Sequence, residues 1–146
     1  MDSLVREAGF DPATGLFGVF DTRLFDVPEF PTHEQALNAL AQLGALLTEF
    51  DFRNEHDEAA ALAAILTAVI RPSLPVAPMF HIKAPQIASG KSYLSGIIAA
   101  FAGPTTPAAV AFPTNDEECQ KLLLATLLAA PGVVVFDNLT SDLILA

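Results

Sequence analysis

The sequence predicts an α/β fold: a helical hairpin followed by a three-stranded, mainly parallel sheet with flanking helices. Three observations carry that expectation. The segments AAVAF at 108–112 and VVVF at 133–136 are wholly apolar, as strands covered by helices on both faces are. Around them, leucines and isoleucines recur at three- and four-residue steps, the spacing of one helix face. A further apolar stretch at 76–83 completes a strand-helix-strand-helix-strand order, which implies right-handed crossovers and a doubly wound core.

Taken in order, residues 1–31 mix Gly, Pro and Asp with isolated Phe and Leu. They read as an extended arm with turns at Asp11-Pro12 and Thr14-Gly15 and a short strand over 16–20. Its phenylalanines are expected to pack onto the body of the domain. A helical hairpin is expected over 32–71. Thr32 and Gln35 form a capping box, opening a helix whose Leu37, Leu40, Leu43, Leu47 and Phe50 make one stripe, to about Phe50. Asn54 caps the next helix, with Glu55, Asp57 and Glu58 in its first turn, where the dipole favours anions. Leu62, Ile65, Leu66 and Val69 are its expected buried face, and Arg71-Pro72 ends it, because the residue before proline is pushed out of helical conformation.

The core, 72–146, is organised around 76–93, VAPMFHIKAPQIASGKSY, read as a buried strand, a tight loop and a helix start. A phosphate-binding loop needs a glycine where backbone N–H groups approach an anion, a lysine that reaches the outer phosphates, and a hydroxyl for magnesium. Gly90, Lys91 and Ser92 supply these, and the helix from Lys91 to about Ala102 adds its positive dipole end. The usual pattern has another glycine five residues before Gly90, where this chain has Pro85. The expected nucleotide-binding segment comprises Pro85, Gln86, Ile87, Ala88, Ser89, Gly90, Lys91, Ser92 and Tyr93. Leu94, Ile97, Ile98 and Phe101 should face inward, up to the stop at Gly103-Pro104. A helix capped by Asn115 and closed by Pro131-Gly132 leads to the last strand. Asp137 and Asn138 follow it, about 45 residues after Lys91. An aspartate at the carboxyl end of such a strand holds magnesium opposite the phosphate loop in P-loop NTPases.

VAPMFHIKAPQIASGKSYLSGIIAAFA followed by GVVVFDNLTSDL resembles the ATP-binding core of helicase-like and primase-associated ATPases of phages and mobile elements, relatives of the AAA+ and superfamily 3 helicases. The similarity covers roughly residues 30–146. It implies a partial P-loop NTPase core in which Gly90, Lys91 and Ser92 bind the phosphates of ATP and the Mg2+ ion, and Asp137 holds Mg2+ through water. Two departures stand out. Ala88 replaces a common loop glycine, narrowing the available backbone conformations. Asn138 stands where many such ATPases place a glutamate; it can orient water but has no basic oxygen, which leaves Lys91 and Asn138 as the candidate catalytic contacts and Asp142 as a substitute carboxylate. The resemblance further implies a central strand and an inter-subunit arginine that are absent before Ala146. The chain is therefore expected to be an N-terminal piece with an exposed sheet edge, unable to hydrolyse ATP alone, from a homo-oligomeric parent that works on DNA through its missing parts.

Two other classes fit parts of the pattern. A P-loop small-molecule or nucleotide kinase would add an acceptor segment and an arginine-rich lid, and would pair 76–83 directly with 133–137. A non-enzymatic α/β interaction module would make Gly90-Lys91-Ser92 incidental.

Composition narrows the field. At 146 residues and 52% hydrophobic, the chain is one domain in size and apolar enough for a sizeable core. Seventeen acids against seven bases give a net charge of −10, with the bases scattered, so no stripe for DNA or RNA is expected. The longest apolar run, 59–70, is too short to cross a bilayer, and the first residues lack a secretory signal. With a lone Cys119, a cytoplasmic location is expected. His33, His56 and His81 are unclustered in sequence and do not suggest a metal site.

Overall fold

Asp11 closes the first turn of the chain and Gly15 lets it reverse. In the computed structural model, which describes residues 5–24, 27–86, 89–103, 108–113 and 115–137, β1 (Gly9–Asp11) pairs antiparallel with β2 (Leu16–Gly18). The Asp11 carboxylate accepts from the amides of Ala13 and Thr14 and, at 2.6 Å, from the Thr14 hydroxyl. That hydroxyl, with the two amides, holds the Asp11 carboxyl below its ordinary pKa, because each bond favours the charged form. Gly15, at φ +70°, takes the left-handed conformation the turn requires. The arm is thus a hairpin, and two of its phenylalanines do not pack away: Phe10 and Phe17, paired across the strands, are 64% and 69% exposed.

Described residues divide into two units, Met1–Thr48 and Glu49–Ala146. The hairpin and α1 (His33–Ala45) belong to the first. The capping box at Thr32 and Gln35 forms as its residues dictate, with both reciprocal bonds made. α1 stops five residues before Phe50, because the amides of Leu46 and Leu47 bond back three residues to Leu43 and Gly44, tightening and ending the last turn. Leu47 is buried, whereas Leu37 and Leu40 on the expected stripe are exposed.

In the second unit, α2 (Glu55–Ile70) packs against α3 (Lys91–Ala100). The buried face of α2 is Ala61, Ala64, Ile65 and Ala68, not the expected Leu62, Ile65, Leu66 and Val69. Alanines at these three- and four-residue steps present a smooth surface to α3, while Leu66 and Val69 remain exposed. Ile65 is fully buried, a contribution of roughly 1.5–3 kcal/mol. Opposite it, α3 buries Leu94 and Ala99; Ile97, Ile98 and Phe101 are half-buried.

β3 (Ala108–Ala111) and β4 (Val134–Asp137) pair in parallel, Ala111 opposite Asp137, and α4 (Asp116–Ala129) connects them. Phe112 meets Phe136 edge-on at 5.4 Å between ring centres. α4 ends at Ala130, which takes the left-handed conformation at φ +44° and returns its amide to the carbonyls of Thr126 and Leu127.

The architecture is mixed α/β, but among the described residues the parallel sheet has two strands, not three. The buried strand expected over 76–83 is absent: residues 77–84 join no ladder, and Val76 and Met79 are exposed. Proline supplies the reason. Pro75, Pro78 and Pro85 punctuate the segment, and a proline in its middle cannot donate to a ladder. With only four residues per strand and β4 half-buried, the core is smaller than length and composition suggested. Among the described residues, no helix is long and apolar enough to cross a membrane.

Candidate functional site

Gly90 sets the geometry of the site. It caps α3 at φ +82° and ψ 8°, a left-handed conformation that a side chain would strain, and a Cβ there would lie 3.4 Å from Cε1 of Phe50. The first helical bond runs from the Leu94 amide to the Gly90 carbonyl at 2.8 Å. Gly90 offers no side-chain acceptor, so among the described residues the amides of the first turn gain no N-cap bond. That turn carries Lys91 and no acid.

Lys91 and Ser92 open onto a cleft of about 1080 Å3, which Asp137 also lines from the end of β4. Lys91, Ser92 and Asp137 are each among the residues that line it. Ser95 and Gly96 continue the α3 wall, Ala64, Thr67 and Ala68 belong to α2, and residues 77–84 and 132–137 supply the rest. Direct pairing of 76–83 with 133–137 is not formed; the two segments share the cleft without a ladder between them.

The lining also contains two cations that the linear pattern did not single out. Arg71, at the end of α2, and Lys83 join Lys91, with His81 beside them. Among the described residues of the lining, three permanent cations face one carboxylate, Asp137, although the whole chain carries −10. Lys83 and Lys91 form no ion pair among the described residues, and the Arg71 guanidinium donates to the Leu74 carbonyl at 2.6 Å. Spacing along the chain gives no hint that these three bases line the same cleft.

Other expected site residues fall elsewhere. Pro85, Gln86 and Ser89 are exposed just ahead of α3 without lining the cleft, and Tyr93 lies on the flank of α3. Ile87, Ala88, Asn138 and Asp142 lie outside the described residues. Among the described residues no group of three or more His, Cys, Asp or Glu side chains is placed to hold a metal ion. A magnesium ion carried by a triphosphate asks for less, one or two protein oxygens beside phosphates and waters, and Ser92 and Asp137 match that requirement in kind. No family model, curated protein or solved structure matches the chain.

Proposed function

We propose that this chain binds a nucleoside triphosphate, ATP, together with Mg2+, at the α3 end of the cleft. One observation carries most of the weight: Arg71, Lys83 and Lys91 all line the cleft that the start of α3 borders, in a protein whose net charge is −10. Such a lining has a use for an anion and repels little that is negative. In this assignment the α3 amides and Lys91 hold the outer phosphates, Ser92 offers its hydroxyl to the ion, and Asp137 holds the ion from across the cleft through water. Placing a lysine in the first turn of a helix runs against the macrodipole by roughly 0.3–1 kcal/mol, and a bound phosphate reverses the sign of that cost.

The resemblance to helicase-like and primase-associated ATPases extends the proposal to ATP binding of the kind those proteins use, with Lys91, Ser92 and Asp137 as the phosphate and ion contacts. A kinase-like core would bring 76–83 into direct register with the last strand; because 76–83 forms no strand, the absent ladder favours neither class. Calorimetric titration of ATP with Mg2+ tests the assignment. Wild type should bind, and Lys91→Ala should not, with unchanged circular dichroism because the side chain is exposed. Equal binding by both proteins, or none by wild type, overturns it.

A further inference from the structure

Two rings near the α3 start do not line the cleft, and neither the phosphate nor the ion contacts use them. Tyr93, two residues beyond Lys91, stacks on Phe50 with ring centres 6.0 Å apart and planes 23° apart. Phe50 is itself half-buried, its edge beneath Gly90, with Phe52 6.0 Å further on. Tyr93 remains 68% exposed. A tyrosine that served the core would have its ring covered, whereas this one is held flat from behind and open in front.

We propose that the open face of Tyr93, backed by Phe50, seats the nucleobase of the bound nucleotide; this rests on the nucleotide-binding assignment above. Ser92 and Ser95 face the cleft and Tyr93 does not, so the ligand straddles the helix start. Its phosphates sit over the α3 amides and its base folds back onto the rings. Every base has a π-face, and stacking on an aromatic side chain strengthens binding in single-strand binding proteins largely regardless of base identity. The site is therefore one for a purine or pyrimidine triphosphate with modest preference, tightest for the larger purine surface.

The composition offers a direct readout, since Tyr93 is the sole tyrosine and the chain has no tryptophan. Tyrosine emission and calorimetry are followed while ATP, or inorganic tripolyphosphate, is added with Mg2+ to the wild type, Tyr93→Phe and Tyr93→Ala. Expected are a change in Tyr93 emission with ATP but not with tripolyphosphate, and ATP affinity about tenfold or more above tripolyphosphate, equivalent to about 1.4 kcal/mol. Tyr93→Phe should keep that advantage, and Tyr93→Ala should lose it while binding tripolyphosphate as the wild type does. Equal wild-type affinity for the two ligands overturns the base seat and leaves the phosphate site standing. No binding of either overturns the nucleotide assignment and this inference with it. Equal loss of both ligands in Tyr93→Ala, with Tyr93→Phe intact, makes the ring structural and also overturns the seat.

Discussion

Asn54 and Asn115 each accept two backbone amides at the starts of α2 and α4, and three carboxylates follow each of them, whereas α3 starts at a left-handed glycine with no cap and a lysine in its first turn. The first two starts are complete in themselves. Side-chain oxygens satisfy the exposed amides, and acids match the dipole, together amounting to about 1–2 kcal/mol of helix stability per end. The third start omits both devices, and it is the one that borders the cleft holding Arg71, Lys83 and Asp137. Under the proposed function the difference has a reason: local stability is withheld at the one of these starts where a bound anion would supply it.

Substitutions that exchange these two designs test the comparison. The largest effect is expected from Lys91→Glu, which gives α3 the acidic first turn of its neighbours: ATP binding, measured by calorimetry, should fall below detection. Next comes Gly90→Ala. A side chain at φ +82° costs about 1–2 kcal/mol, while the added methyl meets Phe50 only in ordinary contact, so the urea midpoint should drop while the slope stays constant. Asn115→Ala removes the acceptor for the amides of Glu117 and Glu118 and should cost about 1 kcal/mol by the same measurement, leaving ATP affinity unchanged. The smallest effect has the opposite sign: without nucleotide, Lys91→Glu should be more stable than wild type by about 0.3–1 kcal/mol, since the dipole then meets an anion. A Lys91→Glu protein that is both less stable and still able to bind would erase the distinction between the helix starts.

Much of this was legible in the chain. Thr32, Asn54 and Asn115 cap the helices where their side chains and following acids said they would, because capping is decided within four residues. The apolar runs 108–112 and 133–136 became the paired strands β3 and β4, nearly to the residue. What failed depended on tertiary competition. Pro78 outweighed the apolar character of 76–83, since a strand needs its donors as well as its hydrophobicity. The buried face of α2 differs from the one its large residues mark, because it is built mostly of alanines, Ala61, Ala64 and Ala68, with Ile65. For the candidate site, the Gly90-Lys91-Ser92 turn stands in the sequence as a motif, whereas the presence of Arg71 and Lys83 in the same cleft lining is a product of the fold rather than of spacing.

The central claim is that Ser92 and Asp137 share one cation beneath one triphosphate. Its most direct measurement is the affinity for ATP in Mg2+ and in chelator, for wild type and for Asp137→Asn, with folding of both checked by thermal melting. The account predicts that Mg2+ tightens wild-type binding by about tenfold or more, about 1.4 kcal/mol, and that Asp137→Asn loses this gain while keeping the weaker metal-free affinity from Lys91 and the α3 amides. An identical Mg2+ effect in both proteins would contradict it.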